Sequence, residues 1–431
     1  MNSWIDRSRR GFMWVKLSSA LLLFGCQSNM PAPLSDGKSL PSVVSVKSAP
    51  AASTSAPTSV ATPAITVLTH GEAVLSAVNT LFTKADLGET AASDRRIVVI
   101  DPLIDGVTRS QTEATQAMGL KIEELVRANH PRFDIKPLSA TELARAPLLI
   151  VGTFTPINLQ GKTEGAREMY RFCLAMVDLK SGRVVSKTVA RSRMEGVKHA
   201  PLPYFRDAPG WTRDPPTENY VKTCQASKSG DVANPAYIES LVSVALVEEG
   251  VRAYNSNRFK EALAMFERAR QTAAGNQLRV LNGLYLSHWK LGQRKEMEND
   301  FGQLVDYAFN QGHLAVTFLF RPGASVLPPD SKQAPYSTWL KVISQRASQL
   351  NACLEVAGHT SGGGPEPVNE RLSSLRAEHV RQHLVTQAPN LGRRVIATGY
   401  GSREMLVGLG SDDLADQLDR RVDFRMLSCK A

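Results

Sequence analysis

The sequence lacks most features that catalysis, membrane spanning and nucleic-acid binding require. Its N-terminal apolar stretch, Leu17 to Phe24, is too short to cross a bilayer. GxSxG, HExxH and CxxC motifs are absent, which excludes the hydrolase, zinc-protease and dithiol chemistries that depend on them. No long Lys/Arg run or aromatic-basic repeat occurs, and aromatic residues make up 6% of the chain. These absences predict a non-enzymatic protein that binds no nucleic acid.

Cofactor and metal sites are equally poorly supported. Gly161-Lys162-Thr163 match the end of a GxxxxGK[ST] loop, but the first glycine position holds Pro156, which cannot donate a backbone N–H to phosphate. His379 and His383 lie four residues apart on a predicted helix, and no third ligand accompanies them. We therefore predict no cofactor and no metal.

Residues 1–25 carry four basic side chains, then the apolar stretch, and end at Leu23-Phe24-Gly25-Cys26. This segment resembles a bacterial lipoprotein signal peptide with its lipobox. The resemblance implies that Cys26 carries the lipid, palmitate among its acyl chains, and that Gln27 favours sorting to the outer membrane, facing the periplasm. Several acyl chains, at about 0.8 kcal/mol per buried methylene, anchor a protein without a spanning helix.

The formal charge of +10 includes +3 from residues 1–25, so the remainder is only mildly basic for its length. Residues 26–63 are rich in Pro, Ala and Ser with almost no aromatic residue, and cannot bury enough apolar surface to fold. We predict that they form a disordered tether between the lipid and the folded domains.

Residues 64–195 alternate between helical and strand patterns. The spacing predicts helices at Glu72–Lys84 and Gln111–Asn129. It predicts strands at Arg96–Leu103, Leu148–Gly152, Tyr170–Asp178 and Arg183–Arg191. This order predicts a mixed α/β sandwich. It resembles the periplasmic α/β domain of FlgO-like and CsgG-like outer-membrane lipoproteins, without a sharp motif. Residues 196–235 form a proline-rich connection that either wraps this domain or is mobile.

Residues 236–312 show a helical pattern that nearly repeats. Ala262, Phe266 and Ala269 recur as Met297, Phe301 and Leu304, each 35 residues later, close to the repeat of about 34 residues in tetratricopeptide proteins. The segment therefore resembles a tetratricopeptide-like helical pair. It is either a packing spacer between its neighbours or a docking groove for an envelope protein partner.

The stretch from Cys353 to Ala377 is the most informative part of the chain. A strand, Cys353 to Ala357, is followed by Gly358-His359-Thr360-Ser361, three glycines, and a helix from Asn369 to Leu384. The predicted apolar face of that helix contains Leu372, Leu375, His379 and His383. On this interpretation Arg376 leans over the loop and not into the core.

These residues resemble the OmpA-like peptidoglycan-binding domain, whose signature runs GHTD, N-x-x-LS-x-x-RA and a later RRV strand. The match covers roughly 313–431, and it implies a βαβαββ fold within a multidomain α/β protein. By resemblance, the site that binds the diaminopimelate of a peptidoglycan stem peptide contains Gly358, His359, Thr360, Ser361, Asn369, Leu372, Arg376, Arg420 and Arg421.

One position departs from this signature, because Ser361 stands where the family has Asp. Arg376 can hold a ligand carboxylate, but a serine hydroxyl brings no charge to the ligand ammonium. Either Asp412 and Asp413 replace that carboxylate, or the arginines pair with the aspartates of 412–419 as ordinary surface charges.

Four cysteines follow Cys26, and an exported protein occupies an oxidising compartment. The candidate pairs are Cys173–Cys224 and Cys353–Cys429, with free buried thiols as the alternative. A register with Ser361 opposite Arg421 aligns Cys353 with Cys429.

Two functions remain: an outer-membrane lipoprotein that grips peptidoglycan while scaffolding an envelope complex, or a flagellar, secretion or surface-structure assembly component whose C-terminal domain makes protein contacts.

Overall fold

The computed structural model describes residues 67–88, 95–320, 323–330, 334–411 and 413–429. The chain divides into two units, 1–63 and 64–431. The predicted signal peptide, lipidated Cys26 and tether lie outside the described residues. No helix in the described part is long and apolar enough to cross a membrane.

The helices of the described residues are α1 His70–Thr83, α2 Glu113–Asn129, α3 Ala140–Leu143, α4 Pro203–Asp207, α5 Pro215–Gln225, α6 Pro235–Glu239, α7 Leu241–Asn255, α8 Phe259–Arg270, α9 Leu278–Lys290, α10 Arg294–Asn310, α11 Tyr336–Gln349 and α12 Glu366–Gln387. The strands are β1 Arg96–Ile100, β2 Phe133–Lys136, β3 Leu148–Ile157, β4 Met169–Asp178, β5 Arg183–Arg193, β6 Gly210–Trp211, β7 His313–Val316, β8 Cys353–Gly358, β9 Val395–Gly399 and β10 Val422–Leu427.

The first sheet has the order β2-β1-β3-β4-β5, with β1 parallel to both β2 and β3 and the last two pairs antiparallel. β1 is shorter than predicted, since it ends at Ile100 before Pro102, which has no N–H to donate. β3 is longer than predicted and buried over its whole length, because it continues to pair with β4 beyond the end of β1. The expected mixed α/β architecture is confirmed.

Both faces of this sheet are covered. α1 and α2 pack on one face through Val78, Met118 and Ile122, and α1 begins at a capping box formed by Thr69 and Glu72. The other face is covered by Tyr220 and Tyr237, which belong to the proline-rich connection and α6. The connection therefore wraps the sheet and is an integral part of the fold.

The second sheet has the order β6-β7-β10-β8-β9. From β7 onward the elements follow one another as βαβαββ, as the sequence predicts. β6 is an addition from the connection, pairing Trp211 with Ala315 on the edge strand β7. The helices α7 to α10 share one hydrophobic core with this sheet, in which Trp339 stacks on Phe301 and donates to the Tyr285 hydroxyl over 2.8 Å.

Two disulfides tie elements together. Cys173 of β4 is bonded to Cys224 of α5, with Cα atoms 6.1 Å apart. Cys353 is bonded to Cys429, with Cα atoms 5.3 Å apart. The register predicted for the second pair is wrong by two residues, because β10 places Leu427 opposite Cys353. Cys429 lies two residues beyond the end of β10. The chain there no longer pairs with β8, so it can bend back and bring Cys429 to Cys353.

Candidate functional site

The candidate site lies at the carboxyl end of β8, the strand between β10 and β9. The loop continues the sheet for two residues before it turns away. His359 N–H donates to the Arg421 carbonyl over 3.0 Å, and Thr360 N–H donates to the Gly401 carbonyl over 2.9 Å. His359 therefore lies beside Arg421, the position that the predicted register gave to Ser361. The sheet backbone fixes where the loop begins.

Gly358 and Gly399 allow α12 to approach the sheet closely. A Cβ at Gly358 would lie 2.2 Å from the Ser373 carbonyl oxygen, and one at Gly399 would lie 2.1 Å from Ser374 Oγ. The buried face of α12 consists of Asn369, Ser373, Arg376, Ala377, Val380 and Leu384. The predicted helix face is therefore wrong: Leu375 is 48% exposed. Small residues, Ser373 and Ala377, face the sheet at Gly358 because the helix approaches most closely there, whereas Val380 and Leu384 pack further along the helix.

The glycine loop is closed by the first turns of α12. Asn369 Nδ2 donates to the Gly363 carbonyl over 3.0 Å, and Gly364 has φ +82°. A Cβ at Gly362 would lie 3.1 Å from Met405 Sδ. Asn369 and the glycines therefore shape the loop. Leu372 is partly buried on the same helix, and its apolar side chain can add packing but no hydrogen bond.

Arg376 points inward, not over the glycine loop. Its Nε donates to the Ala324 carbonyl over 3.0 Å, its Cζ lies 4.8 Å from the centre of the Phe320 ring, and the residue is 6% exposed. The prediction that Arg376 leans away from the core is therefore wrong. The guanidinium is held between α12 and the segment that precedes α11, so a ligand carboxylate would reach it beside that segment.

A buried charge cluster lies next to the loop. Arg421 binds Asp423 with two donors, Nε to Oδ1 over 2.8 Å and Nη2 to Oδ2 over 3.3 Å. His313 Nε2 and His359 Nε2 lie 3.3 and 3.1 Å from the same Oδ2. Burial alone would raise the pKa of Asp423, but Arg421 and the two histidines hold it well below its usual range. Burial lowers the pKa of His359 despite the neighbouring carboxylate.

Sequence reasoning missed the outer half of this cluster. Arg425 binds Glu404 through Nη2 and lies with Cζ 4.6 Å from the centre of the Tyr400 ring. Tyr400 stacks on His359 with ring centroids 5.4 Å apart, and its hydroxyl donates to Glu355 over 3.0 Å. A signal was available: charged residues occupy every second position along β10 and the residue before it, at 421, 423 and 425, and such residues share one face of a strand.

Of the two aspartates proposed to replace the missing carboxylate, Asp413 is described, and it makes local contacts. Asp413 accepts from Ser411 Oγ over 2.8 Å and from the Ala415 N–H over 2.7 Å, so it closes its own turn. Asp419 accepts three backbone N–H groups, from Leu406, Val407 and Gly408. Arg420 donates to the Asp413 carbonyl over 2.7 Å, not to its side chain. Asp412 lies outside the described residues.

The loop presents buried polar groups that make no hydrogen bond to the residues the structure describes. Thr360 is 4% exposed and its hydroxyl has no hydrogen-bond partner in the described part of the chain. His359 Nδ1 is likewise buried without one, and its nearest carboxylate oxygen, on Glu404, is 3.9 Å away. Unsatisfied buried groups are costly, and an arrangement of this kind is typical of a ligand site.

Two groups of side chains resemble metal ligands. His379 and His383 meet edge to face with ring centroids 4.7 Å apart, and His379 Nε2 accepts the Leu327 N–H over 3.3 Å. Among the described residues, His359, Glu404 and Asp423 have ligand atoms within 4.8 Å of one another. Arg421 pairs with Asp423 and Arg425 pairs with Glu404, so we interpret this group as part of the charge cluster and not as a metal centre.

Comparison with known proteins agrees with this geometry. Residues 319–415 match the OmpA family. Outer membrane porin F of Pseudomonas fluorescens is 39% identical over 75 residues, which is 17% of this chain and 21% of the porin. The chain thus spans about a fifth of the curated relative that it matches. The C-terminal domain is therefore OmpA-like.

Solved structures are similar to about a quarter of the chain. The peptidoglycan-associated lipoprotein of Burkholderia pseudomallei is 25% identical, covering 26% of this chain and 89% of that one, with a TM-score of 0.22. The cell wall anchor of the T6SS from Pseudomonas aeruginosa is 19% identical, covering 27% and 80%, with a TM-score of 0.23.

Proposed function

We propose that this protein is a non-enzymatic outer-membrane lipoprotein that binds peptidoglycan non-covalently through its OmpA-like domain and so links the outer membrane to the cell wall. The observation that carries the proposal is the OmpA-family match at 319–415, which contains the His359-Thr360-Ser361 loop and Arg376. The buried Thr360 hydroxyl of the loop, which has no hydrogen-bond partner among the described residues, adds to it. The proposed site residues are those named from the sequence, including Gly358, Leu372, Arg420 and Arg421.

The ligand would be the diaminopimelate of a stem peptide, a zwitterion that requires both a cation and an anion from the protein. Arg376 supplies the cation. We propose Glu404 as the source of the anion, because its side chain is 39% exposed and lies against His359. The cluster contains three carboxylates, on Glu355, Glu404 and Asp423, against two guanidiniums. This excess of negative charge favours a ligand ammonium over water.

The other end of the molecule would be held by lipid on Cys26, after removal of residues 1–25 at the lipobox. The tether of 26–63 would let the folded part leave the membrane surface. Stretched out, about 37 residues reach roughly 110 Å, enough for a lipid-anchored domain to meet the wall. The folded part would then lie in the periplasm.

Retention on purified sacculi tests the wall-binding proposal. We expect the mature protein to sediment with sacculi and Arg376→Ala to lose at least about tenfold in affinity, because removing a charge-assisted pair costs about 1.5–3 kcal/mol. Arg371→Ala is the matched control, an exposed arginine on the same helix. Ser361→Asp should strengthen retention by restoring the family carboxylate. Equal retention of Arg376→Ala and Arg371→Ala would remove the proposal.

A second candidate function is an assembly component of a flagellar, secretion or surface-structure complex, in which the C-terminal domain makes protein contacts. It is favoured by the burial of Ser361 and Arg376, which are only 5% and 6% exposed. Absence of the unmutated protein from the sacculus pellet supports this candidate. In either case, residues 236–312 are the proposed docking segment for an envelope partner.

A further inference from the structure

A second cleft lies far along the chain from the glycine loop, where several parts of the fold meet. It is open to solvent, and its volume including the open mouth is about 850 Å³. The wall is formed by the loop between β1 and α2, by α4, β6 and α9, and by the C-terminal segment around Val407 and Leu418. The cleft is therefore built by parts that the sequence assigns to four different domains.

The position of this cleft in the first sheet is one that favours ligand binding. β1 is parallel to β2 on one side and to β3 on the other, so the chain reverses its direction of travel across the sheet at β1. In open α/β sheets, ligands bind outside the carboxyl ends of the strands at such a switch point. The loop that follows β1 contributes Thr108, Arg109 and Ser110 to the cleft wall.

Three side chains in the wall carry buried polar atoms without a hydrogen-bond partner among the described residues: Arg109 Nη1, His199 Nδ1 and Asn282 Oδ1. His199 and Asn282 are 7% and 4% exposed. Other atoms of Arg109 and Asn282 are engaged. Arg109 Nη2 binds Glu218 over 2.7 Å, and Asn282 Nδ2 donates to the Gly210 carbonyl over 3.0 Å. The groups left for a ligand are Nη1 of Arg109, which donates, and Oδ1 of Asn282, which accepts.

The two residues belong to adjoining parts of the wall. Arg279 donates through Nη2 to the Arg109 carbonyl over 3.0 Å, and Asn282 follows Arg279 by three residues on α9, one turn away. Arg109 also has φ +62°, an uncommon conformation for a residue with a side chain. The neighbouring wall is apolar and aromatic, with Phe205 and Trp211.

The charges of the cleft limit the ligand further. Arg109 is paired with Glu218, and Arg279 is paired with Glu248 over 3.0 Å. Glu218 and Glu248 thus already neutralise these two guanidiniums. A ligand with a large net charge would have to compete with these carboxylates. The complement of this wall is a neutral group with a carbonyl acceptor for Arg109, an N–H donor for Asn282, and an apolar side chain.

We infer that the cleft at the β1–α2 loop is a second binding site, which takes a small ligand of peptide chemistry: an amide group beside an apolar or aromatic side chain. The amide carbonyl accepts from Arg109 Nη1 and the amide N–H donates to Asn282 Oδ1, while the side chain packs on Phe205 and Trp211. This site is independent of the proposed wall binding at Arg376.

Ligand-observed NMR titration of the full mature chain tests this inference, with acetyl-phenylalanine amide as the probe and toluene as an apolar comparison. We expect saturable binding of the amide probe. Arg109→Lys keeps the charge opposite Glu218 but removes the Nη1 donor, so it should weaken the amide probe about tenfold and change toluene binding less than about twofold.

A blocking variant gives a separate reading. Ala208 lines the cleft, and Ala208→Phe should abolish binding of both probes by filling it. Ala85→Phe, at a similarly half-buried alanine outside the cleft, should leave both unchanged. If Ala208→Phe fails to fold, Arg109→Lys still decides the matter. Failure of the amide probe to bind the parent chain, or equal binding by the parent and Arg109→Lys, would overturn the inference.

Discussion

Asp101 and Asp423 are two buried aspartates, 1% and 2% exposed, one directly after β1 and one within β10. Their pKa values move in opposite directions. Burial and the neighbouring Glu248 raise the pKa of Asp101 to about 7, whereas Asp423 is held well below its usual range by Arg421 and two histidines. The same residue type in similar burial thus holds its proton more tightly than usual beside the first sheet and gives it up more readily than usual in the second.

The difference comes from where the compensating charge is found. Asp423 has its cation two residues away on the same strand face, with Arg421 Nε 2.8 Å from its Oδ1. Asp101 accepts a hydrogen bond from the Tyr237 hydroxyl over 2.5 Å, but the cation that acts on it, Arg279, is paired with Glu248. The charge of Asp423 is therefore compensated within one strand, while Asp101 depends on packing between distant segments.

The largest expected effect is that of Asp423→Asn. It leaves Arg421 buried without its carboxylate, which should lower the free energy of unfolding by about 3–5 kcal/mol, measured by urea denaturation. Asp413→Asn, at an exposed turn, is the control and should cost about 1 kcal/mol or less. Because the folded pKa of Asp423 lies below 3.8, its contribution is present above that pH and is lost as the pH falls further. Asp423→Asn should flatten this acid limb.

The next effect compares one glycine in each sheet. Gly358→Ala places a Cβ 2.2 Å from the Ser373 carbonyl oxygen, which belongs to the helix backbone, whereas Gly152→Ala first meets Leu174 Cδ2 at 2.6 Å. A side-chain tip moves more easily than a helix. We expect losses of about 3 kcal/mol for Gly358→Ala and about 1 kcal/mol for Gly152→Ala, from urea unfolding. Equal losses would show that α12 is free to shift outward.

Much of the C-terminal site can be predicted from sequence because its information is local. Short sequence motifs mark the loop after β8, the helix that follows it and the strand after Arg421. These motifs occur in the expected order along the chain. The orientation of Arg376 is not predictable in this way. It depends on the close approach that Gly358 permits between α12 and the sheet, and a helix wheel of apolar residues points instead to Leu375, which is exposed.

The first sheet shows the opposite case. Both long helices and the strands β4 and β5 are predicted near their observed bounds, because their periodicity is strong, whereas β3 runs five residues past its predicted end and β2 and α3 are not predicted. The cleft is not, since Arg109, His199 and Asn282 are separated by up to 173 positions in the chain and only tertiary packing joins them. The sequence also does not decide whether the proline-rich connection packs on the first sheet or is mobile. Proline content is compatible with both.

The smallest expected effect is that of Asp101→Asn, which should be stabilising at alkaline pH. Because the folded pKa of Asp101 is raised to about 7, the folded state binds a proton more tightly than the unfolded state, and stability falls as the pH rises from about 4 to about 7. Asparagine cannot ionise and keeps an acceptor for Tyr237. We therefore expect Asp101→Asn to be more stable than the parent at pH 8.

The measurement is Tm at pH 5 and pH 8 for the parent, Asp101→Asn and the exposed control Asp86→Asn. The parent and the control should lose Tm between the two values, and Asp101→Asn should lose less. A parallel loss in all three proteins would mean that Asp101 is ionised in the fold at both pH values. The positive charge that stabilises ionised Asp101 would then have to come from Arg279. Asp101 and Asp423 would in that case differ in their distance from a cation and not in their protonation.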